Sequence, residues 1–205
     1  GREKSRPVDE IIREIEMLDK NIYKEVMLLG QNVNSYSYGF EKLLKEVSKV
    51  EGLLRVRFMT SHPKDMTPQI IGAVARDKKI CEAFHLPLQS GDNEVLKKMN
   101  RGYTREYYRQ LVEDIRLRIP DASITSDVIA GFAGETEEQF QNTLDLIKEL
   151  ELDSVITAVG LTDHLVVIYA AVIVSFVLVL LFSAPISHFV HKHALANGLI
   201  AGVHD

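Results

Sequence analysis

The sequence predicts an α/β fold in which parallel strands are covered by helices, followed by a separate hydrophobic helix of the transmembrane type. Short apolar runs alternate with amphipathic segments of helical spacing from residue 8 to about residue 150. Repeated strand-then-helix units imply a parallel sheet, which right-handed crossovers curl into a barrel or an open half-barrel. The run from Leu165 to Ser187 has no charged residue. As a helix it would span about 34 Å at ~1.5 Å per residue, enough to cross a bilayer.

The strands are predicted from apolar runs that end in glycine or polar residues. The first run, 25–29, ends at Gly30 and is expected to be a buried strand. Three further strands are predicted at 54–59, 83–88 and 123–130.

Helical spacing predicts helices between these strands. Thr136 is expected to cap the last helix, whose first turn contains Glu137, Glu138 and Gln139. Pro7 suits the start of the first helix, whose apolar positions follow at helical spacing. Those positions are Ile11, Ile12, Ile15 and Leu18, and the later helices are predicted at 40–50, 68–76, 93–99, 104–118 and 136–150.

The charged residues divide the chain in two. Of the 24 Lys and Arg residues all but Lys192 precede residue 153, and of the 29 Asp and Glu residues all but Asp153, Asp163 and Asp205 do. The predicted parts are therefore residues 1–152, a membrane-type segment at 153–193 and an unassigned tail at 194–205. A formal net charge of −5 gives no overall attraction to nucleic acid, so RNA would need a local basic patch.

Cysteine content and the first residues restrict the remaining classes. Cys81 is the one cysteine of the sequence, which excludes an internal disulfide and a metal site made of cysteines alone. Residues 1–7 have no apolar core after them, so no signal peptide is predicted and the first part is expected in the cytoplasm.

Polar and glycine residues follow four of the predicted strands. They are Gly30-Gln31-Asn32, Ser61-His62, Gln89-Ser90-Gly91 and the segment 131–135. In a parallel barrel the chemistry lies on the loops at the carboxyl ends of the strands, so these clusters predict the rim of an active site. The alternative is plain turn chemistry, which recruits the same residue types.

Six segments resemble the radical-SAM methylthiotransferases that modify tRNA, with matching order and spacing over about 150 residues. The stretch Gly-Gln-Asn-Val-Asn-Ser-Tyr at 30–36 favours the tRNA enzymes over relatives that modify a ribosomal protein. The six segments are 1–7, 28–36, 57–63, 85–91, 99–104 and 127–136.

The resemblance implies a partial radical-SAM barrel and its chemistry. By resemblance, a 4Fe-4S cluster held by three cysteines donates an electron to S-adenosylmethionine, and the resulting deoxyadenosyl radical abstracts a hydrogen atom from an isopentenylated adenine of tRNA next to the anticodon. A second cluster, in another domain, supplies sulfur. The partner is therefore tRNA, and the cofactors are S-adenosylmethionine and 4Fe-4S clusters; oligomeric state is left open.

The resemblance also implies cofactor-binding residues on the rim. Gln31 and Asn32 would bind the amino acid end of S-adenosylmethionine, and Gln89 and Ser90 its ribose or carboxylate. The complete predicted set is Gln31, Asn32, Ser61, Gln89, Ser90, Gly131 and Gly134. His62, Arg101 and Glu135 could equally well be helix caps or surface ion pairs, and a core role is favoured for His85.

Departures from the family pattern set further expectations. Asp92 stands where the family commonly has Ser, and Ala133 where it has Pro. The cysteine loop that normally precedes the segment 1–7 is not in the sequence, and Cys81 lies elsewhere. A chain of these residues is therefore expected to bind no cluster, to lack catalytic residues and to be inactive.

After Leu152 the methylthiotransferase pattern is expected to stop, without a further strand. Residues 152–160 and 185–193 resemble the TerC family of integral membrane proteins, linked to metal ion export, with Asp153 at an acidic position of that family. Membrane association through 165–187 is expected. The alternatives are a TerC-type membrane protein and a non-functional chimera joined near residue 152.

Overall fold

The computed structural model describes residues 4–160, and the fold below concerns these residues. The hydrophobic run from Leu165 to Ser187, most of the TerC-like segment and the tail at 194–205 lie outside them. Among residues 4–160 no helix combines the length and the apolar character needed to cross a bilayer.

Six helices and five strands alternate in this part of the chain. In chain order they are α1 (Val8–Glu16), β1 (Glu25–Leu28), α2 (Phe40–Ser48), β2 (Arg55–Phe58), α3 (Pro68–Arg76), β3 (Ala83–His85), α4 (Asn93–Lys98), α5 (Arg105–Arg118), β4 (Ser123–Ala130), α6 (Glu137–Glu149) and β5 (Ser154–Val159). Apart from β5, the elements agree with the predicted ones, and most differ only by one to three residues at their ends.

All ladders between these strands are parallel, and neighbours in space are neighbours in sequence. β1 pairs with β2, and β4 lies between β3 and β5. Between β2 and β3 the ladder reduces to a bridge from Val56 to Ile80. Parallel strands in sequential order are the arrangement that repeated strand-helix units produce, so the predicted α/β class is confirmed.

The helices pack on one side of the sheet, where every second strand residue is buried. In β4 the buried positions are Ile124, Ser126, Val128 and Ala130. In the same core three phenylalanine rings, from α2, β2 and β3, meet edge to face with centroids 5.4 and 5.8 Å apart. Such pairs contribute about 0.5–1.5 kcal/mol beyond the burial of their area. The opposite face of the sheet is only half-covered and carries polar side chains.

Buried polar contacts extend the β3–β4 pairing beyond His85. The Ser126 hydroxyl accepts a hydrogen bond from the Leu88 backbone N–H at 2.9 Å, and the Tyr108 hydroxyl donates to the Leu86 carbonyl at 2.8 Å. Burial raises the pKa of Tyr108, so it remains a donor. Because buried backbone groups need partners, these bonds fix the segment that leads into the next loop.

Side chains cap the helices that follow the rim loops. Thr136 and Gln139 form the reciprocal capping box of α6, as the sequence predicted for Thr136. Thr67 caps α3, Thr104 caps α5 and Asp92 caps α4. Each cap satisfies backbone donors that have no partner inside the helix.

Two expectations about the strands are wrong. β1 is only half-buried, with Met27 44% exposed, because among residues 4–160 it pairs on one edge alone and no helix covers its other face. A strand does follow Leu152: β5 pairs with β4 from Ser154 to Val159. Its β-branched residues suit the free edge of β4, so the sheet continues past the expected end of the pattern.

Gly91 provides a test of this packing. A Cβ at Gly91 would lie 2.6 Å from the Asn142 carbonyl oxygen and 2.6 Å from the Thr143 Cα, both backbone atoms of α6. We expect Gly91→Ala to lower the free energy of unfolding by about 1–3 kcal/mol, the usual cost of overpacking, in urea denaturation.

The matched control is Gly72→Ala in α3. A Cβ there would meet the flexible Arg76 guanidinium, 3.1 Å away, and alanine is favoured over glycine inside a helix by about 1 kcal/mol. We therefore expect unchanged or higher stability. Equal losses in both variants would contradict the proposed packing of the loop at Gly91 on α6.

Candidate cofactor site at the strand ends

The loops after β1 and β2 are joined by a reciprocal pair of hydrogen bonds. The Asn34 amide nitrogen donates to the His62 carbonyl at 2.8 Å, and its amide oxygen accepts from the His62 backbone N–H at 2.9 Å. Asn34 is buried, so breaking this pair would leave backbone groups without partners. A backbone bond from Val33 to the Thr60 carbonyl, 3.1 Å long, closes the same junction.

The second of these loops also contacts the loop after β3. The Ser61 backbone N–H donates to the His85 carbonyl at 3.3 Å. Tyr103 donates to the carbonyls of Pro87 and Leu88 at 2.8 and 3.1 Å, and its ring meets that of His62 edge to face at 5.6 Å. Loops from three strands therefore share one rim.

The loop after β3 is locked onto α6. Ser90 is fully buried, and its hydroxyl lies 3.3 Å from that of Thr143 and accepts from the Asp92 backbone N–H. Asp92 caps α4 and also accepts from Gln139 and Asn142 at 3.1 and 3.0 Å. A serine at position 92 is too short to do all of this, so the departure at this position strengthens the loop.

The loop after β4 is closed by its own glutamate. Glu135 accepts hydrogen bonds from the backbone N–H groups of Gly131 at 2.7 Å and Phe132 at 3.1 Å. Gly131 and Gly134 have φ angles of 74° and 78°, which side-chain-bearing residues rarely adopt. Glu135 is therefore neither the cap of α6 nor part of a surface ion pair among residues 4–160, and it holds its own loop instead.

Two residues with side chains are also held in the left-handed region on this rim. Thr60 has φ 66° and Gln89 has φ 67°, each just after a strand. A left-handed conformation costs L-residues about 1–2 kcal/mol, and such outliers cluster at binding sites. The strain at Gln89 falls on a predicted site residue, whereas Thr60 is a rim residue that the sequence reasoning missed.

Polar networks occupy the uncovered face of the sheet below the rim. His85 lies 3.0 Å from the Thr125 hydroxyl through Nδ1 and 3.2 Å from an Asp127 carboxylate oxygen through Nε2. Across β1 and β2, Glu25 pairs with Arg55 and Arg57. Burial works to raise the pKa of Glu25, but the two arginines outweigh it and the pKa is lowered.

Three buried oxygen atoms have no hydrogen-bonding partner within residues 4–160. They are Ser61 Oγ, Asp127 Oδ1 and Glu135 Oε1, and all lie on β4 or in the loops that follow β2 and β4. An unpaired buried polar atom costs about 1–3 kcal/mol, which a ligand with matching donors would recover. S-adenosylmethionine has such donors in its ammonium group, ribose hydroxyls and adenine amine, so these residues fit it.

The seven predicted cofactor-binding residues all lie on this rim but in different environments. Gln31 and Asn32 line a cavity of about 680 Å³ that runs along β1 and α1. The side chains of Gln31, Asn32 and Gln89 make no hydrogen bond within residues 4–160, and Ser61 Oγ is unpaired. Ser90 is enclosed and engaged with Thr143, so its contribution is to the shape of the loop. Gly131 and Gly134 shape the loop after β4.

Cys81 does not fit an iron–sulfur cluster with the rest of this rim. It lies before β3, where its backbone N–H donates to the Val56 carbonyl, at the end of the sheet opposite the rim loops. Within residues 4–160 no three Cys, His, Asp or Glu side chains are grouped as metal ligands. Asp153, the TerC-like acidic position, accepts from the Ile124 backbone N–H at 2.7 Å and starts the β4–β5 pairing.

Joined loops at the carboxyl ends of parallel strands define an α/β fold of the class in which ligands bind at that edge of the sheet. The chain belongs to the radical SAM superfamily, whose sequence profile matches residues 1–147. The profile of the integral membrane protein TerC family matches residues 142–203, so the two matches overlap by a few residues before β5.

The similar curated relatives are tRNA-2-methylthio-N(6)-dimethylallyladenosine synthases. The chain is 55% identical over 165 residues to the protein of Desulforamulus reducens, covering 78% of this chain and 36% of that protein. It is 53% identical to the protein of Carboxydothermus hydrogenoformans, covering 78% and 38%. The chain therefore spans just over a third of the length of these relatives.

Solved structures show the same fold at low identity. TsrM, a radical S-adenosylmethionine methyltransferase from Kitasatospora setae with cobalamin and a 4Fe-4S cluster bound, superposes with TM-score 0.63 at 18% identity, covering 76% of this chain and 31% of that one. SuiB from Streptococcus suis gives TM-score 0.55 at 15% identity, covering 81% and 36%.

Protonation of Glu135 is expected to make the free energy of unfolding depend on pH. Burial raises the pKa of Glu135 above its ordinary value of 4.5, and the hydrogen bonds from Gly131 and Phe132 only partly offset this. The folded state therefore binds the proton more tightly than the unfolded state. Its stabilising contribution is full below pH 4.5 and is lost as the pH rises through the folded-state pKa.

The measurement is urea unfolding of the wild type and Glu135→Gln between pH 7 and pH 4.5. We expect the stability of the wild type relative to the variant to increase as the pH falls, because only the wild type takes up this proton. Glu137→Gln, an exposed change on α6, is the control and should follow the wild type. A stability difference between the wild type and Glu135→Gln that does not vary with pH would rule out this role of Glu135.

Proposed function

We propose that residues 4–160 form the S-adenosylmethionine-binding part of a tRNA methylthiotransferase, which adds a methylthio group to dimethylallylated adenosine in tRNA. The observation that carries the proposal is the group of three unpaired buried oxygens on a rim of joined loops. The support for the tRNA substrate is the identity of 55% and 53% to synthases of that modified nucleoside.

Each rim loop has a proposed role in holding S-adenosylmethionine. Gln31 and Asn32, at the cavity along β1, bind the amino acid end through their free amides. Gln89 binds the ribose or the carboxylate, and Ser61 Oγ accepts from a donor of the cofactor. The backbone at Gly131 and Gly134 approaches the adenine, since a residue without Cβ leaves that space open.

Cys81 is the one cysteine among residues 4–160. Within residues 4–160 the part played by the chain is to bind and orient the cofactor, to hold the loops rigid and to exclude water from the mouth. Rigid loops matter because misplacing reacting groups by about 1 Å costs on the order of a hundredfold in rate.

A second candidate function concerns the carboxy-terminal part. The TerC profile at 142–203 and the uncharged run from Leu165 to Ser187 favour a membrane segment, in a TerC-type protein or in a non-functional chimera. The proposed boundary near residue 152 falls just before β5, which extends the sheet to Val159. Sequencing the transcript across this boundary tests whether the joint exists.

Membrane association predicts where the chain is found in cells. We expect the 205-residue chain in the membrane fraction and a version ending at Gly160 in the supernatant, because the uncharged run is absent from the shorter version. Immunoblots of both fractions, after a high-salt wash, measure this. Finding the long chain monodisperse in the supernatant would reject the spanning segment.

The proposed cofactor site predicts the effect of shortening Gln89. We expect Gln89→Asn to weaken S-adenosylmethionine binding about tenfold in calorimetric titration, since losing one hydrogen bond costs about 1.4 kcal/mol. Asparagine tolerates the left-handed backbone, so the loop itself is preserved. The control Gln69→Asn, at an exposed position of α3, should bind as the wild type does. Equal affinity of all three proteins for S-adenosylmethionine would contradict the proposal that Gln89 binds the cofactor.

The cysteine content predicts the outcome of cluster reconstitution. A chain of these 205 residues has one cysteine and a cluster needs three thiolates, so we expect no 4Fe-4S absorption and no deoxyadenosine after anaerobic treatment with iron and sulfide. The full-length Desulforamulus reducens relative, treated in parallel, is the positive control. A stoichiometric cluster in the shorter chain would refute the expectation.

A further inference from the structure

We propose that Lys64, Lys98 and Arg101 form a phosphate-binding strip that holds the RNA strand leading to the target base. The proposal rests on the proposed function, because it takes tRNA as the substrate of the same rim. It adds the surface that recognises the RNA backbone.

Lys64 lies in the turn after β2, Lys98 ends α4 and Arg101 follows that helix, so the three cations lie along one path across the rim. The Lys98 ammonium comes within 3.9 Å of the Cβ position of Gly134, on the loop after β4. The Lys64 side chain comes within 3.8 Å of the Cβ position of Gly102, next to Arg101. The Lys64 backbone N–H donates to His62 Nδ1 at 3.2 Å, and Arg101 lies 6.0 Å from the Tyr103 ring that contacts His62, so both residues lie around the loop after β2.

None of the three cations has a carboxylate within 4.0 Å among residues 4–160. They share this property with Lys42, Lys45 and Arg76 in the groove between α2 and α3, and they differ in it from the cations that are paired on this part of the chain. Those paired cations are Arg6, Arg13, Lys49, Arg55, Arg57, Arg105 and Arg109.

Three acidic groups lie near the strip, and none of them forms an ion pair with its cations among residues 4–160. Asp92 is occupied by hydrogen bonds from the start of α4 and from two amide side chains of α6. Glu135 is turned into its own loop, where Gly131 and Phe132 donate to it. Asp65 is the acid that faces His62 from the same turn as Lys64. Lys64, Lys98 and Arg101 therefore have no carboxylate partner to give up when a phosphate binds, on a chain whose net charge is −5.

Aromatic rings accompany the cations, as on surfaces that bind single-stranded nucleic acid. The Arg101 guanidinium lies 6.0 Å from the centroid of the Tyr103 ring. Tyr107 is 43% exposed, and its hydroxyl lies 3.4 Å from the carbonyls of Pro63 and Lys64. An exposed ring tethered beside Lys64 offers a stacking surface to a base whose phosphate contacts the lysine.

The position of the strip favours RNA over an acidic protein partner. A strand held across Lys64, Arg101 and Lys98 passes beside the loops that carry Ser61, Gln89 and Gly134, so the next base along it reaches the mouth of the proposed site. With a negative net charge, attraction of a polyanion has to come from such a local patch.

The test compares two triple variants in fluorescence anisotropy with a fluorescein-labelled RNA hairpin of tRNA anticodon-arm sequence. The rim variant is Lys64→Gln, Lys98→Gln, Arg101→Gln. The matched control is Lys42→Gln, Lys45→Gln, Arg76→Gln, which removes the same charges from the groove between α2 and α3. Circular dichroism verifies that both variants fold.

We expect the rim variant to bind at least about tenfold more weakly at low salt. Its slope of log affinity against log salt should also decrease by about 2, since each lost phosphate contact removes about 0.7–0.9 from that slope. The control should remain within about twofold of the wild type. If the rim variant fails to fold, the single Lys98→Glu variant at an exposed position replaces it and should also bind more weakly.

Equal weakening in the rim and control variants would overturn the strip, and so would no weakening in either. If polyglutamate binding requires the strip and RNA does not bind, the proposal of an RNA site is overturned in favour of an acidic protein partner.

S-adenosylmethionine titrations on the same proteins separate the proposed RNA strip from the proposed cofactor site. RNA binding lost with cofactor binding retained supports both. If the wild type binds RNA through the strip but does not bind the cofactor, the RNA strip is supported and the proposed cofactor site is rejected.

Discussion

Burial of polar groups between strand ends is the constraint on which the rim depends. The ladder between β3 and β4 ends at His85, and from there Ser126 and Tyr108 provide the partners that the backbone at Leu86 and Leu88 requires. Because a buried N–H or carbonyl without a partner is costly, the chain cannot leave this path without losing several bonds together. The Asn34–His62 pair applies the same requirement one strand away.

The hydrogen bonds that hold the rim loops in place also leave a few atoms inside these loops without partners. Asp92 satisfies backbone and amide donors from α4 and α6, and Glu135 satisfies those of its own loop. Held in this way, the loops leave Ser61 Oγ, Asp127 Oδ1 and Glu135 Oε1 without partners and keep Thr60 and Gln89 strained. A fold normally avoids such costs unless a ligand or a reaction recovers them.

The local sequence was sufficient to predict the helices and strands and the edge of the sheet on which the proposed site lies. Helical and strand periodicity placed β4 at Ser123–Ala130 and α3 at Pro68–Arg76. It could not show that β1 is half-exposed or that β5 completes β4, since both depend on which edges find a partner. An apolar run has the same pattern whether or not another element covers it. The end of the family resemblance at Leu152 did not predict that β5 pairs with β4.

The sequence by itself determined the α/β class, the parallel strands, the rim loops and the family, because each is written in periodicity and in motifs of contiguous residues. Only the tertiary structure decided which rim residues are free and which are structural: Ser90 is enclosed by Thr143, and Gln89 is strained with a free amide. It also brought Lys64 close to Lys98 and Arg101, which lie at and just after the end of α4. These relations join residues tens of positions apart, such as Asn34 with His62 and Ser90 with Thr143. Packing sets them, and no local pattern encodes them.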